Sequence, residues 1–223
     1  WSNYQSSKSV LDSIETQVKA AEIANLAFTI EREDCNFSGG KQDQFAATYG
    51  GINKFIFNPD GSTEVSQLNL DQNFIMELES QLVLHFSGVS RDSSTVISDQ
   101  EKSASGPTKS ETLDSLHKIK SEVSIVEKAF DESDFTAFAA SLDRTWFHKK
   151  SSSKLVSNEN IDTIIKSGIN SGAVSAKVSG AGGGGFILFA VPFSSRGSLF
   201  RELAKHDGFS QSITFVHDGV LSW

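Results

Sequence analysis

The spacing of apolar positions changes several times along the chain, and each change marks an element. From about Gln17 to Glu33 an alanine-rich run sets Val18, Ala21, Leu26 and Ile30 roughly on one stripe, which predicts a partly buried helix. Periodicity stops at DCNFSGGK, where Gly39 and Gly40 predict a loop leading into QDQFAATYGG. NKFIFN then alternates, meets the turn signal NPDG and continues as STEVSQLNL, the pattern of a β-hairpin. LESQLVLHFSG reads as one further strand, because Leu82, Val83, Leu84 and Phe86 make the nearly continuous apolar run of a buried strand.

Ser93 to Ser110 is polar and broken by Gly106 and Pro107, which predicts a short helix followed by a mobile loop. Leu113, Leu116, Ile119, Val123, Val126 and Phe130 then recur at helical spacing. Phe135, Phe138, Leu142 and Trp146 form the stripe of a second helix, and NENIDTIIKSGINS predicts a third. The remainder reads as strand, glycine loop and strand over AVSAKVSGAGGGGFILFAVP, a helix over SRGSLFRELAKHDG, and a final strand over SITFVHDGVLSW. Helices packed on an antiparallel sheet, with a β-β-α-β C-terminal portion, place the chain in the α+β class.

Composition narrows the function classes. A chain of 223 residues with 38% hydrophobic and 22% charged residues can bury a real core. A formal charge of -8 and a pI near 5.1 argue against a partner that needs a basic face, so nucleic acid is not expected. No apolar run approaches a membrane span, and a membrane is not expected as a partner. The single Cys35 can form no internal disulfide, which points to a reducing compartment, the cytoplasm. The start WSNYQSSKSV has neither an initiator Met nor the apolar core of a signal peptide, so a trimmed or absent N-terminal part is expected.

Three stretches could carry chemistry. SGAGGGG, Ser179 to Gly185, concentrates conformational freedom that packing alone does not repay. It lacks the GK[ST] of a Walker loop, and a strand rather than a helix follows it, so it is no dinucleotide fingerprint. A loop that lets backbone approach a phosphate is one reading, and a plain glycine-rich hairpin is the other. In GGKQDQ, Asp43 follows a glycine turn within reach of Lys41 and could accept or orient a hydroxyl proton, or could simply cap or be solvated. Arg91, just past a buried strand, could clamp a phosphate or carboxylate, or pair with Asp92 on the surface. The five histidines show no metal-ligand spacing and Cys35 has no nearby partner, so no metal site is inferred.

Taken together, GGKQDQFAATYGGINKFIF, LHFSGVSRDS, the WFHKK and NENID blocks and KVSGAGGGGFILF resemble the GHMP superfamily of small-molecule kinases. Within it they look most like the sugar kinases acting on D-glycero-D-manno-heptose 7-phosphate. The resemblance covers about Gln17 to Trp223 and implies a GHMP-kinase-like α+β fold whose C-terminal portion has ferredoxin-like character. It also implies a remainder of the N-terminal domain over 1–90 and a C-terminal domain over 91–223.

By the same resemblance, Asp43 looks like the carboxylate that activates the accepting hydroxyl. Gly180, Ala181, Gly182, Gly183, Gly184 and Gly185 resemble the motif beside the phosphates, and Lys41, Arg91 and Lys177 are the expected substrate contacts. The implied reaction moves the γ-phosphoryl group of ATP, with Mg²⁺, to the anomeric hydroxyl of the heptose phosphate. A non-catalytic sugar-phosphate-binding relative, or a GHMP kinase for fucose, galactose or mevalonate, stays open as an alternative. The family's first motif and its GLGSSS nucleotide motif do not occur in these 223 residues. Their metal-binding residues therefore have no counterpart here, and a missing N-terminal segment or a second chain is expected to supply them.

Overall fold

The computed structural model describes residues 19–90, 93–107 and 109–220. They form two compact units, one of residues 19–69 with 215–220 and the other of residues 70–214. Among the described residues no helix is long and apolar enough to cross a membrane.

In the first unit a helix over 19–29 (α1) runs into a π-helical turn, Ile30–Asp34. The predicted stripe is only partly honoured. Ala21 is half-buried, but Leu26 and Ile30 are 61% and 48% exposed, while the buried position is Ala24; Val18 lies outside the described residues. A helix absent from the sequence expectation, α2 (Gln42–Tyr49), follows the glycine turn and ends at Gly50, whose φ of 62° a side chain would resist. Gln44, Phe45 and Thr48 are its buried positions, and the Phe45 ring packs on Tyr49, Phe55 and Phe57. Phe55 and Phe57 belong to β1 (Asn53–Phe57), which pairs antiparallel with β2 (Thr63–Gln67) through the predicted NPDG turn. Gly61 closes that turn at φ 86°, donating its N–H to Asn58 O.

The second unit is built on a four-stranded antiparallel sheet of order β4-β5-β3-β6, with β3 Leu82–Phe86, β4 Ser175–Val178, β5 Phe186–Ala190 and β6 Phe209–Ser212. Register explains which face is covered. Val83 and His85 stand opposite Phe189 and Ile187, which in turn oppose Ala176 and Val178, and all six are essentially inaccessible. The five apolar ones join Trp146, Val156, Ile161, Ile164, Leu199 and Leu203 in one apolar core. The opposite face carries Phe86, Phe186, Leu188 and Lys177, all half-buried.

The helices of this unit are α3 (Gln72–Gln81), α4 (Ser93–Ser105), α5 (Lys109–Asp131), α6 (Phe135–Ser152), α7 (Glu159–Asn170) and α8 (Phe193–Leu203). α6 and α7 pack against β4, α3 against β3, and α8 against β6, while α4 and α5 layer outside α6. The second predicted stripe holds: Phe135, Phe138, Leu142 and Trp146 are all buried. Asp134 caps that helix by accepting the Ala137 N–H at 2.9 Å.

Four expectations change. Residues 78–81 are the last turn of α3, a helix whose start is capped by Asp71, and only Leu82–Phe86 are strand. The polar stretch after Ser93 is a 13-residue helix with only a short connection before α5. α5 buries Thr112, Ser115, Glu122 and Ala129, whereas Leu116 and Val123 are 38% and 47% exposed, because it meets α6 through small residues and an ion pair. The final strand lies earlier than predicted, at Phe209–Ser212, and shares only Ser212 with the predicted run; residues 213–220 are irregular, and 221–223 lie outside the described residues. Within the first unit Gly51 N–H bonds Val216 O and Val220 N–H bonds Thr48 O.

Candidate active site

The candidate residues divide between the two units, and each group has its own frame. Asp43 stands in the first turn of α2, exposed to solvent. Among the described residues its carboxylate has no hydrogen bond or ion pair, whereas its neighbours are tied down. Gln44 is buried and its Nε2 donates to Glu31 Oε2. Arg32, beside Glu31, donates Nη1 to Ser38 O at 2.8 Å and pairs with Glu31 at 3.4 Å. The Arg32 guanidinium lies beside Gly39, whose φ of 150° a side chain would resist, so the turn before Asp43 favours glycine.

Lys41 does not pair with Asp43. Its Nζ donates to Asn25 Oδ1 at 3.3 Å and to Gly61 O at 3.1 Å and lies 5.1 Å above the Phe28 ring. In this arrangement it links α1 to the hairpin turn and leaves the carboxylate free.

In the second unit the glycine loop joins β4 to β5. Ser179 N–H bonds Phe186 O, and Gly180, Gly182, Gly183 and Gly185 all have φ between 70° and 106°. Such a loop would be floppy unless anchored, and it is anchored at three points. Gly183 N–H donates to Val156 O at 2.7 Å, and Gly183 O accepts from Asn158 Nδ2 at 3.1 Å. Asn158 also caps α7 by accepting the Ile161 N–H. At the far end Gly185 exchanges backbone bonds with Ser87 and Val89, and Asn160 Nδ2 donates to Ser87 O at 3.2 Å. At the near end Lys149 Nζ donates to Gly180 O.

An open cleft of about 240 Å³ lies along this loop, floored by its backbone and edged by Ser90, Ser179 and Phe186. Added Cβ atoms at Gly180 or Gly185 would meet nothing within 4 Å, so those positions face free space. Gly182 is different, with Val156 O only 2.7 Å from such a Cβ.

Lys177, on β4, leads into the loop. Burial lowers its pKa, and burial together with the charge of Lys177 lowers that of Lys149 to about 8. The structure therefore brings Lys177 together with the glycine loop and adds Lys149, Asn158 and Asn160, which residue-by-residue reading of the sequence does not single out. Their only sequence signal is their place in the WFHKK and NENID blocks. Arg91 lies outside the described residues.

Residues 126–207, which include α6, α7, α8, β4, β5 and the glycine loop, match the family of the GHMP kinases C terminal. Over those residues the chain is similar to the C-terminal domain of the GHMP kinases. Around that domain, 202 residues are 39% identical to D-glycero-alpha-D-manno-heptose 7-phosphate kinase of Campylobacter jejuni, covering 91% of this chain and 59% of that protein. The chain thus spans well under two thirds of the relative's length. The crystal structure of a D-glycero-D-manno-heptose 1-phosphate kinase from Bacteroides thetaiotaomicron superimposes with a TM-score of 0.69 at 30% identity, over 91% of this chain and 56% of that one. L. major mevalonate kinase shares the GHMP fold at 20% identity, with a TM-score of 0.65 over 85% of this chain and 56% of that one.

Proposed function

We propose that the protein is a sugar-phosphate kinase that transfers the γ-phosphoryl group of ATP to the anomeric hydroxyl of D-glycero-D-manno-heptose 7-phosphate. The observation that carries this reading is the exposed carboxylate of Asp43, mounted on a helix start while Lys41 and Gln44 beside it are engaged elsewhere. The 39% identity to the heptose 7-phosphate kinase supports the choice of acceptor. In the proposed step the hydroxyl oxygen bonds to the γ-phosphorus as the bond to the ADP oxygen breaks, and the hydroxyl proton passes to Asp43. Transfer of this kind draws its rate mainly from positioning and charge neutralisation. The glycine loop supplies a surface without side chains on which phosphate oxygens can rest.

Mg²⁺ is expected to accompany the nucleotide and to neutralise its phosphate charge. Among the described residues no three metal-ligating side chains gather, so none is assigned to the ion.

The test is Asp43→Asn in the full-length protein. The turnover of heptose 7-phosphate should fall by about 10² to 10⁴ with KM nearly unchanged. The melting temperature should hold, because the side chain makes no internal bond. An unaltered rate would reduce Asp43 to a solvated helix-start residue and remove the carrying observation.

A further inference from the structure

We propose that Lys149 and Lys177 form a two-cation receptor for a phosphate monoester dianion at the near end of the glycine-loop cleft. The proposal rests on the kinase reading above and names a binding site within it.

The placement follows from the sheet. Along β4, Ala176 and Val178 point into the core, so Lys177 between them occupies the opposite face. Its register partner on β5 is Leu188, and two residues earlier on that same face stands Phe186, which edges the cleft. Lys149 arrives from another element. It sits in the last turn of α6, which packs on β4, and its ammonium donates to the carbonyl of Gly180, itself part of the cleft wall. Two cations from separate elements thus border the first residues of one loop.

Neither lysine has an acidic partner among the described residues, although the chain carries an excess of acids. Both ammonium groups are half-buried, and the charge of Lys177 adds to burial in disfavouring the proton on Lys149; a purely structural role would call for a carboxylate between them. A dianion offsets both charges at once, with loop backbone and Ser90 or Ser179 to take remaining oxygens. Burial first, and the charge of Lys177 after it, lower the pKa of Lys149, in keeping with that unfilled requirement. The same chemistry is offered by the phosphate already on the sugar and by the phosphate chain of the nucleotide.

Labelling of the full-length wild-type protein tests this without a variant. Acylation of Lys149 and Lys177, followed by mass spectrometry, should slow at least about fivefold in saturating heptose 7-phosphate or in saturating ATP, as a bound anion holds the amines protonated. In parallel, Lys149→Met and Lys177→Met should raise the KM for the protecting ligand by at least about tenfold, with Lys149→Arg recovering part of it. Protection and a KM change with heptose 7-phosphate assign the site to the acceptor; the same pair of effects with ATP assigns it to the nucleotide. If neither ligand slows labelling and both KM values are unchanged in both methionine variants, the site does not exist. Labelling reads binding alone, so a protein with no turnover that is still protected by inorganic phosphate retires the kinase reading and keeps the receptor. An active enzyme with indifferent lysines does the reverse.

Discussion

Val156 holds the glycine loop by its backbone: its carbonyl oxygen accepts the Gly183 N–H at 2.7 Å. Val156 is fully buried in the apolar core, so the loop's position is referred directly to the core of its unit. The four consecutive glycines are therefore a shaped surface with a fixed anchor, and each position has its own tolerance.

Gly182→Ala should be the damaging substitution. Its Cβ would press on Val156 O and its φ of 106° is unfavourable to any side chain. The proposed kinase activity of the full-length protein, as kcat/KM, should drop by at least about tenfold, roughly 1.4 kcal/mol. Gly185→Ala meets open space and carries only the cost of its φ of 81°, on the order of 1 kcal/mol of stability. Equal losses in the two variants would show that the Val156 anchor does not matter.

Glu122 and Arg144 fix α5 to α6. The buried Glu122 carboxylate accepts Nε at 2.8 Å and Nη2 at 2.9 Å from Arg144 and the Ser141 hydroxyl at 2.7 Å. The hydrogen bonds from Arg144 hold its pKa below the ordinary 4.5 despite burial. A lowered folded-state value means that this stability is present above about pH 4.5 and is lost as pH falls through the folded value. Glu122→Gln should cost about 1 to 2 kcal/mol at neutral pH, reduced from a fully buried pair because Arg144 is half exposed, and should flatten the acid limb of a denaturation series. An unchanged acid limb would assign the acid sensitivity to other carboxylates.

His85 gives the opposite end of the sheet a second pH dependence. It is fully buried on β3, with Nδ1 2.9 Å from Ser210 Oγ on β6. Burial, reinforced by the nearby His206, lowers its pKa below the ordinary 6.5. The folded state thus disfavours the proton: stability is complete above about pH 6.5 and declines as pH falls through the depressed value. Chemical denaturation between pH 7 and pH 5 should show this decline in the wild type and a shallower one in His85→Gln. Parallel slopes would remove His85 from the account.

By itself the sequence determined the elements whose pattern is local and unbroken. NPDG closes its hairpin because turn chemistry acts over four residues, and the Phe135–Trp146 stripe is buried because an isolated amphipathic helix has only one face to hide. The family blocks likewise carried the GHMP fold and drew attention to Asp43, Lys177 and the glycine loop. Tertiary structure decided the rest. Leu78 and Leu82 look continuous in sequence, yet the pairing of β3 between β5 and β6 holds Leu82 extended and puts the C-terminal end of α3 between them. The face of α5 that is buried was set by its partner, since Glu122 is buried only where Arg144 and Ser141 can satisfy it. Lys41 looked like Asp43's companion by spacing, but Asn25 and the hairpin carbonyl of Gly61 claim its ammonium. Lys149 and Lys177 are 28 residues apart in sequence; only the packing of α6 on β4 brings both to one loop, because charge proximity is a property of the folded surface that no local pattern encodes.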